Sequence, residues 1–202
     1  MPYLGNVPEL RFLSCGTDKL TAEDVRMISQ LTQLEELYIK STQLTAQDLE
    51  SIQALKNIRV LKIVSSPKVD DDIFPIIADM PLKELHLSGT GITGSRIDLL
   101  AKQKDLVILE LRSSKFQDES SPKLLQLPHL QQLYLHGTQL TENGVRPLLG
   151  MPHLIGFDAP DFPMETEIEF AKIAKRLREE ARAAGKTDAP VLQAPFSSAL
   201  SN

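Results

Sequence analysis

Aliphatic side chains return along this chain on a 24-residue beat. Counting from Leu10 in steps of 24 reaches Leu34, Ile58, Leu82, Leu106, Leu130 and Leu154. With Leu10 as position 1, position 4 holds Leu13, Leu37, Leu61, Leu85, Leu109, Leu133 and Phe157. Position 6 holds Cys15, Ile39, Ile63, Leu87, Leu111, Leu135 and Ala159. Positions 3, 5 and 7 between them are polar or mixed, which is the period-two pattern of a short strand with one buried face. Further along, positions 16, 19 and 22 are mostly apolar (Leu49, Ile52 and Leu55; Val145, Leu148 and Met151), a spacing that predicts a helical return arm. Each repeat therefore reads strand, turn, helix.

The turns carry their own signals. Thr21 and Thr45 stand three residues before Asp24 and Asp48, the spacing of a capping box, and Thr93 and Thr141 at the same position are predicted N-caps. Pro75, Pro122 and Pro147 fall where the first turn of an arm is expected, a place that tolerates a missing N–H. The stretch VSSPKVDDDIF carries one extra residue, compensated by a shorter arm before Leu82, and predicts a local bulge.

LEELYIKSTQL, LKELHLSGTGI and LQQLYLHGTQL resemble the leucine-rich-repeat family, whose L-x-x-L-x-L-x-x-N/C-x-L pattern they match except at one position. Where that family places Asn or Cys, position 9 here holds Thr42, Ser66, Thr90, Ser114 and Thr138, hydroxyls able to bond amides and carbonyls of turns in neighbouring coils. The resemblance covers residues 1 to about 160 and implies an α/β right-handed solenoid. Seven parallel strands would line its concave face and helical arms its convex face. It also resembles bacterial intracellular repeats and those beside F-box modules, which implies as an alternative role the substrate-recognition arm of a ubiquitin ligase or a bacterial effector.

The ends depart from the beat. Residues 1–9 align with the second half of a preceding repeat, and residues 10–160 form the solenoid proper. Thr166 and Glu169 predict a capping box for a helix within 161–185, closed by Gly185, with Phe170, Ile173, Ala174, Leu177 and Ala181 on one face. That helix is expected to cap the last coil, since a solenoid otherwise leaves an apolar edge unpartnered. Glu165, Glu167 and Glu169 at its start and Arg178 and Arg182 near its end suit the helix dipole. Residues 186–202 lack a sustained period and are expected to be a flexible tail unless Val191, Leu192 and Phe196 fold back.

Composition narrows the function. With 27 acidic and 22 basic residues the net charge is −5, which works against a nucleic-acid partner. The only cysteine, Cys15, sits at a core position, so neither a disulfide framework nor a cysteine metal site is expected. The N-terminus lacks the pattern of a signal peptide and no stretch has the length of a membrane span; the expectation is a cytoplasmic protein with no membrane partner.

Positions 3, 5 and 7 supply an outward surface of varied chemistry on an invariant core. Its candidate partner-binding residues are Glu36, Tyr38, Lys40, Lys62, Glu84, His86, Glu110, Arg112, Tyr134, His136 and Asp158. Three such columns over seven strands approach the roughly 20–30 residues per side of a standard protein interface, so the expected partner is a protein or peptide. Tyr38, Tyr134 and Arg112 lead the candidates as hot-spot residue types. Ion pairing is expected between Glu110 and Arg112 on one strand and between Lys62 and Glu84 across strands. His86, Glu110, His136 and Asp158 are the one grouping with metal or acid–base chemistry. The two histidines fall about 12 Å apart from strand spacing and rise, on a face open to water. The expectation is therefore no enzyme, no metal and no cofactor. His129 and His153 fall at arm ends, as surface residues.

Overall fold

The computed structural model describes residues 9–151 and 153–185. The expectations for residues 1–8 and for the tail at 186–202 lie outside these, as do the side chains of Arg178, Ala181 and Arg182. Seven strands form one parallel sheet in chain order: β1 (Phe12–Gly16), β2 (Glu36–Lys40), β3 (Val60–Val64), β4 (Glu84–His86), β5 (Ile108–Glu110), β6 (Gln132–Tyr134) and β7 (Gly156–Asp158). The pairing joins Leu13 to Leu37, then Leu61, Leu85, Leu109, Leu133 and Phe157, so like positions of consecutive coils sit side by side. The arrangement is an α/β leucine-rich-repeat solenoid.

The return arms are short. They comprise helices α1 (Ala22–Ile28), α2 (Ile73–Ile77) and α3 (Glu142–Val145) and 3₁₀ segments at Gln47–Ala54, Ile97–Lys102, Asp118–Gln126 and Arg146–Gly150, the last continuing α3. The three-residue spacing of apolar positions suits the 3₁₀ segments. At three residues per turn, side chains three apart eclipse one another, so Leu49, Ile52 and Leu55 all aim inward. They meet the buried strand residues Leu37, Leu61, Leu85 and their equivalents in one continuous core, in which Phe74, Phe116 and Phe170 are the largest fully buried side chains. Pro122 lies inside the nine-residue segment Asp118–Gln126 rather than in its first turn.

Strands β2 to β6 leave the sheet through a left-handed residue. Ser41, Ser65, Gly89, Ser113 and Gly137, all at position 8, have φ of 54°, 50°, 66°, 52° and 71°. Glycine at two of the five sites marks the backbone requirement, and serine meets it at about 1–2 kcal/mol of strain. The hydroxyls that follow at position 9 are buried at Thr42, Ser66, Thr90 and Ser114. Only Thr42 and Ser66 bond across coils, Oγ to Oγ at 3.1 Å. Thr90 donates to Leu87 O (2.6 Å), Thr138 donates to Leu135 O (2.7 Å), and Ser114 Oγ accepts from Phe116 N (3.3 Å), so the expected inter-coil column is in most coils a set of local bonds.

The turn threonines are held in two ways. Thr21 with Asp24 forms the predicted capping box, and hydrogen bonds from the Thr21 hydroxyl and backbone N–H hold the Asp24 carboxyl down to about 2. Thr45 and Asp48 repeat the same reciprocal bonds (2.8–3.3 Å), and these hold the Asp48 carboxyl below its ordinary range. Thr93 and Thr141 have no such acid of their own and are clamped from the preceding coil. Asp71 accepts from Thr93 N (3.1 Å), Gly94 N (2.8 Å), Ser95 Oγ (3.1 Å) and the Thr93 hydroxyl. Asp118 accepts from Thr141 N (2.8 Å) and its hydroxyl (2.5 Å). Thr141 also caps α3, accepting from Asn143 N. Thr93 caps no helix, because its arm starts only at Ile97.

The extra residue of the third coil is taken up in the turn before α2, and the strand register continues unbroken into β4. The short arm is closed by Gln103 of the next coil, 3% exposed, which donates to Ile77 O (2.7 Å) and Ala78 O (3.1 Å) and accepts from Leu82 N (3.3 Å).

Helix α4 (Met164–Ala183) ends near Gly185 (φ 66°) and buries Phe170 and Ala174 against the last arm. Phe162 meets Phe170 edge-on at 5.6 Å, and the Arg146 guanidinium lies 5.4 Å from the Phe170 ring. The expected capping box at Thr166 and Glu169 does not form because the helix already begins at Met164, which places Thr166 inside its first turn. Thr166 instead donates to Glu142 (2.8 Å), and Glu169 pairs with Arg146 (3.0 Å), tying the helix to the preceding coil.

Among the described residues, the Ser51 hydroxyl is the buried side-chain polar atom left without a hydrogen bond. Ser51→Ala removes that orphan and favours the helical arm, so it should raise stability by about 0.5–1 kcal/mol. A denaturation midpoint lower than that of the parent chain would contradict this.

Candidate functional site

The outward residues of positions 3, 5 and 7 all reach the open strand face, none of them fully buried. They divide into two groups. Phe12 on β1, Glu36, Leu37 and Tyr38 on β2, Val60, Lys62 and Val64 on β3, His86 on β4, Ser88 beyond it, and Glu110 on β5 line a hollow of about 490 Å³. Phe12 is 56% exposed and stands at the end of this hollow. The register explains the assembly: Tyr38, Lys62, His86 and Glu110 occupy one row of paired positions, so their side chains run side by side across four strands.

The far wall of the hollow is a hydrogen-bonded cluster. His86 Nδ1 lies 2.5 Å from Glu110 Oε2, and His86 Nε2 lies 3.4 Å from Glu84 Oε2. Ser88 Oγ donates to Glu110 Oε1 at 2.8 Å. Burial works against ionising Glu110, yet the bonds from His86 and Ser88, helped by the charges of His86 and Arg112, hold its carboxyl below the ordinary range.

The second group lies over β5–β7. Arg112 spans two strands to Asp158, with Nε at 2.9 Å and a second guanidinium nitrogen also bonded to Oδ2. Asp158 Oδ1 accepts from His136 N at 2.7 Å, while the Arg112 guanidinium lies 4.6 Å from the Tyr134 ring centre. The Tyr134 hydroxyl donates to Gln132 (2.7 Å), and His136 Nδ1 lies 3.7 Å from Asp161. These groups are committed to one another.

Of the two expected ion pairs, Glu110–Arg112 forms at 3.7 Å, while Arg112 makes its closer contact with Asp158. Lys62 pairs with neither Glu84 nor any other described residue; His86 occupies Glu84 instead. Lys40 lies with Nζ 5.8 Å from the Tyr38 ring. Cys15 is buried, and burial raises its thiol pKa. Phe12, Val60, Val64 and Ser88 are the hollow's lining residues that the ranking by hot-spot type passed over. Their signal was present in the sequence as three apolar residues in outward positions.

No protein-family model matches the sequence, and no curated protein is similar to it in sequence. Solved structures are similar in fold. An internalin from Listeria monocytogenes superposes with a TM-score of 0.59 at 20% identity over 96% of this chain and 56% of that one. TLR13, in its complex with ssRNA13, superposes with a TM-score of 0.58 at 18% identity over 77% of this chain and 23% of that one. This chain thus spans about half the length of the internalin chain and about a quarter of the TLR13 chain. Both likenesses concern the leucine-rich-repeat fold. Among the described residues no helix is long and apolar enough to cross a membrane.

Proposed function

We propose that this chain is a non-enzymatic recognition module that takes a protein or peptide segment on its concave strand face, seated in the hollow over β1–β5. The observation that carries this reading is the hollow itself. An exposed Phe12, a half-buried Tyr38 and two valines offer apolar area on a surface whose other half is occupied by its own ion pairs. Aromatic residues with a polar tip next to small apolar ones supply most of the energy at protein interfaces. The candidate carboxylates and imidazoles are engaged with one another on an open face, which supports binding over catalysis. A net charge of −5 favours a protein ligand over nucleic acid.

Tyr38 is thereby placed ahead of Tyr134 and Arg112, whose polar groups already have partners. Affinity capture from native lysate identifies the bound proteins, and titration calorimetry with the purified partner then measures the site. Phe12→Ala combined with Tyr38→Ala should weaken binding about tenfold or more, while Leu125→Ala, an exposed residue on the arm side, should leave it unchanged. Equal affinity of the double variant and the parent would remove the strand face from consideration.

A further inference from the structure

The hollow's polar groups are unequally satisfied, and the inequality bears on the chemistry of its occupant. Of its two lining carboxylates, Glu110 is spoken for by His86 and Ser88, and Glu84 just outside the hollow is bonded to His86 as well. Glu36, the other lining carboxylate, is exposed to water and so gains less from a ligand's charge. Lys62 is different. It is half-buried on β3, paired in register with Tyr38 on one side and His86 on the other, and flanked along its own strand by Val60 and Val64. Among the described residues it has no ion pair and no hydrogen bond, and the Tyr38 hydroxyl beside it has none either. An ammonium partly withdrawn from water gains from any carboxylate brought to it, and the gain grows as a ligand excludes more solvent.

The geometry points to an occupant that is a short extended peptide segment carrying an aspartate or glutamate beside an apolar residue. The carboxylate is received by Lys62 Nζ and the Tyr38 hydroxyl, with Lys40 at the margin. The apolar neighbour packs on Phe12, Val60 and Val64. From Phe12 on β1 to Glu110 on β5 the hollow crosses four strand spacings, about 19 Å, which an extended segment of about six residues covers. A basic peptide is disfavoured, because it would meet Lys62 directly and find Glu84 and Glu110 already occupied by His86.

This inference rests on the proposed recognition role, and its test separates the two. Immobilised wild-type chain is panned with a displayed library of random dodecapeptides, and the Lys62→Met and Lys62→Glu variants, checked for an unchanged thermal midpoint, are panned in parallel. Lys62→Met keeps the apolar stem if charge reversal disturbs the fold. The expected result is enrichment of Asp or Glu next to an aliphatic or aromatic residue on the wild type, loss of the acidic preference on Lys62→Met, and replacement by Lys or Arg on Lys62→Glu. For the most enriched peptide, made synthetically, exchanging its acid for the amide should weaken binding about tenfold to wild type and no more than about twofold to Lys62→Met. Peptides that depend on Phe12 and Tyr38 but show no acidic preference, or a basic one, overturn this inference and leave the recognition role standing. Failure to enrich any peptide that depends on Phe12 and Tyr38 overturns both.

Discussion

Replacing Gly94 by alanine is expected to destabilise the fold by about 3–4 kcal/mol, through two separable causes. Gly94 has φ of 86°, where an L side chain is strained by about 1–2 kcal/mol. Its added Cβ would also sit 2.6 Å from Ser120 Cβ and overlap the ring edge of Phe116, which is fully buried. Overpacking a dense core adds about 1–3 kcal/mol, and the ring has little room to withdraw. Backbone movement is restrained as well, because Gly94 N donates to Asp71 at 2.8 Å. Gly185 isolates the first cause. It has φ of 66°, and an added methyl there would meet nothing within 4 Å, so Gly185→Ala should lose only the torsional share, about 1 kcal/mol. Urea denaturation of both variants measures the difference; equal losses at the two sites would mean that Phe116 does not confine Gly94.

Gln103→Leu is the second large effect, an expected loss of about 2–4 kcal/mol from a substitution of similar size that makes the residue more hydrophobic. The amide bridges two coils. Its Nε2 is the partner of Ala78 O and shares Ile77 O with Met80 N, while its Oε1 takes Leu82 N. Leucine fills the space but leaves Ala78 O facing the core without a donor, a buried loss of about 1–3 kcal/mol, and weakens the other two contacts. Gln103→Glu retains the acceptor and not the donors, so it should fall at least as far at neutral pH. A Gln103→Leu chain as stable as the parent would show that water or backbone adjustment reaches Ala78 O in place of the amide.

Much of the fold was legible because the core positions repeat. Leucine at position 4 of every coil but the last, where Phe157 stands, fixed both the strand and its register, and pairing residue for residue between coils follows from that alone. Three-residue spacing in the arms was equally visible, although it does not separate α from 3₁₀ geometry, since the α-helical first arm and the 3₁₀ second arm both carry it. The left-handed turn residues were half visible, as Gly89 and Gly137, and half concealed by serines that accept the strain. Local caps at Thr21 and Thr45 could be read, whereas the clamps on Thr93 and Thr141 come from aspartates more than twenty residues away, and no short window of sequence contains both partners.

For the candidate site, sequence placed eleven residues on one face and the structure sorts them by partner. Tyr134 and Tyr38 occupy equivalent positions in near-identical stretches, LYLHGTQLT and LYIKSTQLT, and are indistinguishable on composition. Their neighbours separate them. Arg112 and Gln132 engage Tyr134, while among the described residues the Tyr38 hydroxyl has no hydrogen bond and the neighbouring Lys62 no ion pair. Side-chain reach across strands decides such pairings, and periodicity carries no information about reach.

The clamps of Asp71 and Asp118 bear on how a chain like this can change in length. The first two coils hold their turn threonines with their own Asp24 and Asp48, so neither turn borrows its acid from a neighbour, although Thr42 of the second coil still bonds Ser66 of the third. The third and fourth are laced by Asp71 and again by Gln103, and the fifth is laced to the sixth by Asp118. There a block that keeps each of these turn clamps whole must span two coils. A single module can be added or removed without breaking a turn clamp only in the N-terminal portion, which is also where Phe12 and Tyr38 stand.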